Sequence, residues 1–547
     1  MDSLSHLLKN TLHLFKQPHL NEEKPMEELP SNSSYLPIHP ISLKDYVLKN
    51  PTNKRYLIIG LITIFLQFTI FKYFYPFAGY INGDSYVYLE TAYHNFSVNT
   101  YPVGYSNFLR LISVFTKSDI IVVAIQYLLL QFSALSLLFT LFYFYSPAKL
   151  TRIILFLFIT INPASLYLSN YISSDCFFLS LSIAWFTLLL WTISYPSKKL
   201  ILITSLLLFI AFTVRYNALF YPIISVIALV LSRKKILLSI GGFAVSLILI
   251  GIFIIHTSKT YYKLSGYKQF SPFTGWQLAN NGMYAYKFVA PKNRKQPPKR
   301  LQELDQMVRN YIDSTQNLQK YPYEKIIAGT IYMWSPNSPL SIYMNKQFIK
   351  DSTATALTKW SATAPIMKEY GIFLIKSYPK EFLRYYLIPN AVKYYAPPVE
   401  FLAAYSTGVD SVSPIATAWF AYKSNKISCR FKDFNVNNLN YYPILSGTVN
   451  VLFIFSLLSF IMLKGYKEQI QLTKGLGLVI GLWIVNFSFS VFASPIALRF
   501  QLFPILTTAC FSLLLLEYLI KLAKSSNPAT SNILNTSTEP PNIQAIS

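Results

Sequence analysis

Long apolar runs separated by short polar connections dominate the chain. A helix needs roughly 17 to 25 apolar residues to cross a bilayer core of about 30 Å. The runs that approach this length are Tyr56–Tyr75, Ile120–Tyr145, Thr151–Leu168, Cys176–Ser194, Leu200–Val214, Ala218–Leu231, Ile236–His256, Tyr442–Leu463, Gly475–Phe492 and Leu502–Leu519. The pattern predicts an all-α membrane protein with about ten transmembrane helices. The two runs between Lys199 and Arg233 are short, so they are predicted to be short, tilted or partly re-entrant spans.

Lysine and arginine alternate between the short connections of this predicted bundle. They occur at Lys149/Arg152, Lys198/Lys199, Arg233/Lys234/Lys235, Lys464/Lys467/Lys474 and Lys521/Lys524, and the connections near Ser169–Asp175, Arg215–Asn217 and Ala493–Arg499 are nearly free of lysine. Cytoplasmic loops of membrane proteins carry an excess of these residues. The alternation therefore predicts that both termini are cytoplasmic, in what we expect to be a bacterial cell (inner) membrane.

The same topology divides the chain into regions. The predicted regions are a leader 1–55 with an interfacial helix at Leu4–Phe15, seven helices in 56–256 that include the outer loop Pro76–Asp119, an outer segment Thr257–Tyr441, three helices in 442–520 and a disordered cytoplasmic tail 521–547. Within the outer segment, Arg300–Leu318, Ile366–Tyr378 and Glu381–Tyr395 are predicted to be amphipathic helices that lie on the outer leaflet. Tyr378-Pro379 is predicted to end the second of these helices and to separate it from the third.

Composition agrees with lipid as the main solvent, since 53% of the 547 residues are hydrophobic and only 13% are charged. The net charge of +25 does not indicate nucleic-acid binding in a chain that is mostly buried in lipid. Thr257–Tyr441 holds 24 Lys and Arg against 10 Asp and Glu, which indicates either a surface that faces phosphate groups or a solvated basic face. The three cysteines form no CxxC pair, which disfavours disulfides and thiolate metal sites.

The most informative stretch directly follows the first predicted span. It reads Ile81-Asn-Gly-Asp-Ser-Tyr-Val-Tyr-Leu-Glu-Thr-Ala92, and Tyr101-Pro-Val-Gly-Tyr105 follows it. Gly83 permits a tight exit of the chain, and Asp84 or Ser85 can cap the next helix. The Asp84 carboxylate is therefore predicted at the membrane–water boundary, within reach of a lipid headgroup. The alternative is that Asp84 is only a helix cap.

Asp175 lies at the outer end of the fourth span, on the same predicted side as Asp84. Its alternative role is also a helix cap, in competition with Ser173 and Ser174. Arg215 and Arg499 stand at outer ends of spans, where an arginine without a function is unexpected. Each is predicted to bind a donor phosphate or to form a structural ion pair with a nearby carboxylate.

Two further residues are candidates for an acceptor or metal site. Glu90 and His94 are four residues apart and share one face if Ser85–Asn95 is helical. Together with Asp84 or Asp175 they could hold a divalent metal ion, and a solvated interfacial face is the alternative. Asp119 opens a span and is interpreted as its cap.

The order of these motifs resembles the GT-C superfamily of membrane glycosyltransferases, which includes protein O-mannosyltransferases and the aminoarabinose transferases of lipid A. Asp84-Ser85, Tyr88 and Ala92 are similar to the acidic motif after the first span of that family, and Pro102-Val103-Gly104-Tyr105 is similar to its Pro-x-Gly-Tyr segment. The stretch Arg499–Pro504 is similar to an Arg-Tyr-x-x-Pro motif before the last helix of the family.

The resemblance implies a GT-C-like helix bundle with outer juxtamembrane helices and an inverting sugar transfer. It implies a polyprenyl-phosphate-linked sugar donor, a lipid, glycan or protein acceptor, and Asp84 as the general base. Asp175 lies near the place where members of that family often have a second acid, which holds a metal or orients the acceptor. The resemblance does not identify the sugar, the acceptor or a metal.

Other classes of function have less support in the sequence. A multi-pass transporter or a flippase of lipid-linked oligosaccharides is the main alternative, but the acids and arginines are predicted at the outer surface and not near the bilayer midplane. A polysaccharide polymerase or ligase and a catalytically inactive scaffold are further alternatives. The sequence has no Walker A motif, Rossmann fingerprint, His-Glu-x-x-His motif or nucleophile elbow.

Overall fold

The computed structural model describes residues 41–232, 236–493 and 495–525. Helices make up nearly all of the regular structure in these ranges, which contain isolated β-bridges but no strand. Eight helical stretches of the described residues are long and apolar enough to cross a membrane. The protein is thus an all-α chain with the features of a multi-pass membrane protein.

The helices of the first half are α1 (Leu43–Leu48), α2 (Pro51–Phe74), α3 (Asp84–His94), α4 (Gly104–Ser113), α5 (Asp119–Tyr145), α6 (Lys149–Thr160), α7 (Pro163–Asn170), α8 (Ser174–Ser194), α9 (Lys198–Val214), α10 (Tyr221–Leu231) and α11 (Ile236–Ser265). Those of the second half are α12 (Phe273–Tyr286), α13 (Gln302–Ser314), α14 (Ile331–Trp334), α15 (Pro339–Gln347), α16 (Ala356–Ser377), α17 (Pro379–Phe382), α18 (Ile388–Tyr395), α19 (Pro414–Phe420), α20 (Tyr442–Met462), α21 (Gly465–Glu468), α22 (Ile470–Ala493) and α23 (Leu498–Ser525).

The predicted count of ten spans stays a prediction, because two of the ten runs form short helices. The helix α9 has 17 residues. The helical stretch Tyr216–Leu231 is apolar but shorter than the eight candidate membrane spans. These are the two runs that the sequence predicted to be the weakest spans. The predicted single span Thr151–Leu168 is divided into α6 and α7, since Asn162 caps a new helix that begins at Pro163.

Several predicted boundaries are shifted. The first membrane helix begins at Pro51, five residues before Tyr56, because the Asn50 side chain accepts hydrogen bonds from the N–H groups of Thr52 and Asn53 at 3.0 and 3.1 Å. The predicted tail starts too early, since α23 continues to Ser525. The predicted helix Leu4–Phe15 and residues 526–547 lie outside the described residues.

The helices α5, α8 and α23 lie at the centre of the bundle, where most of their side chains are buried. The helix α2 lies at its edge and presents exposed apolar side chains such as Phe65, which is 69% exposed. Exposed apolar faces of this kind are what a lipid-facing helix requires. The bundle therefore has a protein-packed centre and an apolar surface.

The long connection between α11 and α20 has two parts. Residues 273–386 form a hydrophobic core of their own, here called the second core, which includes Trp276, Met367 and Tyr370. Residues 399–439 pack into the core of the helix bundle. They contact both the first outer loop and the end of α2, since the Tyr405 hydroxyl donates to the Phe77 carbonyl at 3.0 Å and the Arg430 N–H donates to the Phe74 carbonyl at 2.9 Å.

The second core depends on a close crossing of α12 and α16. A Cβ added at Gly275 would lie 2.1 Å from the Ala364 carbonyl oxygen, and one added at Gly371 would lie 2.3 Å from the Leu278 carbonyl carbon. Glycine at both positions lets the two backbones touch, in the way that small residues do at close helix interfaces.

The predicted amphipathic helices form, but two of them use their apolar faces inside the protein. The predicted Arg300–Leu318 is α13, and Ile366–Tyr378 is the second half of α16. Their apolar side chains are buried in the second core, so the prediction that these faces lie on a leaflet is wrong for both helices. The break at Tyr378-Pro379 is confirmed, and α18 beyond it keeps Ile388 and Val392 exposed, at 51% and 65%.

Candidate functional site

The Asp84 carboxylate is the most accessible charge of the site. Asp84 is the first residue of α3, directly after Gly83, whose φ of +87° turns the chain into the helix. Its Oδ1 accepts a hydrogen bond from the Tyr101 hydroxyl at 2.7 Å, and its Oδ2 accepts one from Arg499 Nη1 at 2.9 Å. Both oxygens are thus engaged by other segments, and the cap position is held by Gly83. The Asp84 side chain is 24% exposed.

The loop before Asp84 is fixed by backbone and side-chain hydrogen bonds. Gly79 forms a parallel bridge with Tyr171, and its N–H donates to the Asn170 carbonyl at 2.8 Å. The Ala78 N–H donates to Asp119 Oδ2 at 2.7 Å. The prediction that Asp119 caps its own helix is therefore wrong, because this buried carboxylate holds the first loop.

Asp175 is almost completely buried at the start of α8, with 2% of its side chain exposed. Its Oδ1 is paired with Arg215 Nη1, and its Oδ2 accepts from Arg499 Nη1 and from the Ser173 hydroxyl, both at 3.1 Å. Ser173 is the N-cap of α8. Because Ser173 caps the helix, the Asp175 carboxylate is available to form ion pairs with Arg215 and Arg499.

Arg499 lies between the two carboxylates. Its position follows from the start of α23, where the Leu498 N–H donates to the Pro398 carbonyl at 2.9 Å. The guanidinium carbon lies 4.2 Å from the Phe401 ring centroid and 4.4 Å from that of Phe500. Arg499 Nη1 bonds both aspartates, whereas the buried Nε has no hydrogen-bond partner within the described part of the chain.

Arg215 follows the last residue of α9 and also contacts Phe500, at 4.7 Å from the ring centroid. The Pro-x-Gly-Tyr segment packs against this helix end. A Cβ on Gly104 would lie 2.6 Å from the backbone of Thr213, so only glycine lets α4 approach so closely. The segment therefore holds Tyr101 beside the end of α9 that carries Arg215.

The structure brings together four of the six candidate residues. Asp84, Asp175, Arg215 and Arg499, here called the charge cluster, meet at one end of the helix bundle. Two carboxylates face two guanidinium groups, so the formal charges balance. Buried charges are tolerated when they are paired in this way. Both arginines form ion pairs with the aspartates, which was one of the two roles considered for them. Phosphate binding by the arginines stays a prediction.

Glu90 and His94 do not join the charge cluster. Both side chains are exposed on α3, and the His94 ring stacks on Phe96 at 5.2 Å. Among the described residues no group of three or more His, Cys, Asp or Glu side chains is arranged to hold a metal ion. The two clustered carboxylates already face guanidinium groups, so the residues present do not fit a divalent metal ion.

Three aromatic residues of the site were not among the predicted candidates. Tyr101 and Phe500 stand inside the quoted motifs, beside Pro102 and Arg499, so only their position next to a motif could have identified them. Phe401 lies in the long connection, where nothing in the sequence marks it. Burial, followed by the charge of Asp84, raises the pKa of the Tyr101 hydroxyl well above its ordinary value, so Tyr101 stays a hydrogen-bond donor.

Glu400, next to Phe401, is a further acid near the cluster. Its backbone has a φ of +42°, a conformation that residues other than glycine seldom adopt. Glu400 is exposed, but the protein around its carboxyl group removes enough water to raise the pKa of that group, and the charges of Lys393 and Arg499 lower the pKa in part. Phe401, the next residue, contacts Arg499, and backbone conformations of this kind are often found at functional sites.

We compared the chain with protein-family models, with curated proteins and with solved structures. No family model matches it, and neither the curated proteins nor the solved structures gave a significant match.

Proposed function

We propose that the chain is an integral membrane glycosyltransferase that moves a sugar from a polyprenyl-phosphate-linked donor to an acceptor hydroxyl on the outer face of the membrane. The observation that carries the proposal is the charge cluster. It combines an accessible carboxylate, Asp84, with a buried arginine whose Nε donor has no partner in the described chain. A general base beside a guanidinium group with an unused N–H donor suits the transfer of a phosphate-linked sugar.

Asp84 is the general base in this proposal. The acceptor oxygen attacks the anomeric carbon of the donor and gives its proton to the Asp84 carboxylate. The bond between the anomeric carbon and the phosphate oxygen breaks, and the polyprenyl phosphate leaves with the electron pair. A single displacement of this kind inverts the anomeric configuration and needs no covalent intermediate on the protein.

The two arginines hold the phosphate of the donor. Because Arg499 Nη1 is occupied by both aspartates, its Nε edge remains for an anion, and a guanidinium edge binds phosphate through two parallel hydrogen bonds. Phe401 and Phe500 keep the guanidinium in place. Asp175, which touches both arginines, is a positioning residue that keeps the pair of guanidinium groups together.

The location of the cluster favours this function over transport. All four residues lie at helix ends, since Asp84, Asp175 and Arg499 are at the first turns of α3, α8 and α23 and Arg215 follows α9. Substrate sites of transporters usually lie near the bilayer midplane, at interrupted helices. Two further segments contact the cluster at this end, the first outer loop through Tyr101 and the long connection through Phe401. A site at the ends of helices suits a donor that arrives from the lipid and an acceptor that arrives from water.

The test begins with mass spectrometry of surface glycans and glycolipids from a deletion strain, to find the missing sugar and its acceptor. Sugar transfer is then measured with purified protein and polyprenyl-linked donor. Asp84→Asn keeps the size of the side chain and removes the proton acceptor, so we expect transfer to fall by roughly 10²–10⁴-fold without loss of folding. Asp410→Asn is the matched control, because Asp410 forms an exposed ion pair with Lys426 away from the cluster. Near-normal transfer by the Asp84 variant would exclude it as the base.

A further inference from the structure

Aromatic side chains extend from Asp84 onto the second core. The Tyr101 ring, whose hydroxyl bonds Asp84, lies 6.2 Å from the ring of Phe273 and 6.3 Å from that of Trp334. Trp334 lies 6.4 Å from Trp360, with the two ring planes only 8° apart. These four residues, Tyr101, Phe273, Trp334 and Trp360, are here called the aromatic platform.

The platform is rigid on one side and open on the other. Trp276, which is fully buried, stacks on Trp360 at 5.6 Å, and its Nε1 donates to the Trp360 carbonyl at 2.9 Å. The short helix that carries Trp334 is tied to α12, because the Met333 N–H donates to Asn280 Oδ1 at 3.2 Å. Trp334 itself is 45% exposed. A large indole ring is therefore held in a fixed orientation with one part free for a ligand.

We propose that the aromatic platform binds a pyranose ring of a saccharide acceptor and presents its hydroxyl to Asp84. One face of a pyranose carries C–H groups with partial positive charge, which matches the negative face of an aromatic ring. Its hydroxyl groups remain at the edge, where the polar residues Ser335 and Asn337 follow Trp334. This inference rests on the proposed function, and it selects a carbohydrate acceptor from the three classes of acceptor considered above.

The uncharged platform disfavours a lipid headgroup, and the absence of a strand in the described residues disfavours a peptide bound by strand addition. The four side chains of the platform carry no charge, so they offer nothing to the phosphate of a lipid headgroup. A peptide acceptor that binds by strand addition would need an exposed strand edge, and the described residues contain isolated bridges and no strand. Ligand sites combine aromatic walls with a few placed polar groups, and Asp84 supplies the polar group at one end of the platform.

The experiment measures sugar binding without any transfer, so that it does not depend on turnover. Saturation-transfer NMR is recorded on the full chain in nanodiscs with three soluble probes, the hexasaccharides of glucose, mannose and N-acetylglucosamine. We expect saturation of ring C–H protons for at least one probe, with binding about tenfold weaker in Trp334→Ala, as for the loss of one stacking contact. Trp334→Phe should retain most of the binding, because it keeps an aromatic face.

Phe288→Ala is the matched control, since Phe288 is also an exposed stacked aromatic, 42% exposed and 3.9 Å from the Tyr385 ring, but lies outside the platform. It should leave the signal unchanged. Absence of saturation for all three probes, or equal binding by Trp334→Ala and the wild type, overturns the proposal. Saturation that depends on Trp334 in a protein without transfer activity would retain the saccharide site and reject the proposed function.

Discussion

Two regions of this protein bury carboxylates, and they treat them differently. In the second core, Glu324 is paired with Lys287 at 2.7 Å and accepts from the hydroxyls of Tyr311 and Tyr332 at 2.8 and 2.7 Å. Asp305 of the same core accepts from Arg309 Nε at 2.6 Å and from the Tyr370 hydroxyl at 3.0 Å. Each of these carboxylates has one cation and at least one phenol, and the ion pairs are complete.

The charge cluster has the same kinds of group but is left incomplete. Tyr101 stands to Asp84 as Tyr370 stands to Asp305, and Arg499 corresponds to Arg309. Yet Arg499 serves two carboxylates through one nitrogen, its buried Nε has no partner in the described chain, and Asp84 is 24% exposed against 3% for Asp305. An unpaired buried donor costs free energy that a folded protein normally avoids. Buried hydroxyls without a partner in the described chain, such as that of Tyr286, occur in the second core as well, so the two regions differ in how their ion pairs are completed and in how exposed the carboxylate is. This difference agrees with the proposal that the charge cluster binds a ligand.

The largest effect is expected from opening a complete pair. Glu324→Gln leaves Lys287 without its counter-ion in the second core, which should cost about 3 kcal/mol of local stability. Hydrogen exchange of α12, α13 and α16 should accelerate by about 100-fold, whereas Asp84→Asn should leave it unchanged there. Equal exchange in both variants would remove the distinction between the two regions.

A smaller effect should follow from changing the shape of the cation and not its charge. Arg499→Lys loses the planar edge that is proposed to bind the donor phosphate, so donor affinity should fall by about 10- to 100-fold. Arg309→Lys is the matched change in the second core, and it should not alter donor affinity. Binding of polyprenyl-linked donor to nanodisc-embedded protein measures both. An unchanged affinity for Arg499→Lys would make Arg499 a structural ion-pair residue.

The smallest effect concerns the two phenols. Tyr370→Phe removes a donor from the nearly buried Asp305, which keeps Arg309 as its partner, and we expect a loss of about 1 kcal/mol in the local stability of the second core. Tyr101→Phe removes the corresponding donor from Asp84, where water can replace it, so the loss should stay below about 0.5 kcal/mol. Hydrogen exchange of α16 and of α3 gives the two values. A larger loss for Tyr101→Phe than for Tyr370→Phe would show that the cluster is the more closed of the two.

Sequence patterns predicted the long helices well, because apolar runs of membrane length have few other stable structures. They were less successful where a local signal interrupts a run. A capping Asn50 extends one predicted span by five residues, and Asn162-Pro163 starts a new helix inside another, although that stretch as a whole still has the length and hydropathy of a membrane span. The amphipathic patterns of α13 and α16 predicted helices correctly, but a pattern does not state whether lipid or protein covers the apolar face.

The same limit applies to the site. Asp84, Asp175, Arg215 and Arg499 were recognisable because charges at the ends of membrane helices are costly and therefore informative. Glu90 and His94 were chosen on helical spacing alone, and the fold leaves them exposed. Asp119 was interpreted as a cap from its position, although its carboxylate binds the Ala78 N–H of a different segment.

The sequence by itself determined the helical class, the approximate positions of the membrane helices and the four charged residues of the cluster, since each depends on local composition and on the cost of placing charge or backbone in lipid. Only the tertiary structure decided that Arg499 lies between Asp84 and Asp175, that Phe401 supports it from the long connection, and that a second core places Trp334 beside Tyr101. These contacts join residues far apart in the chain. Their geometry depends on close helix approaches, such as Gly104 against Thr213, which no periodic pattern encodes.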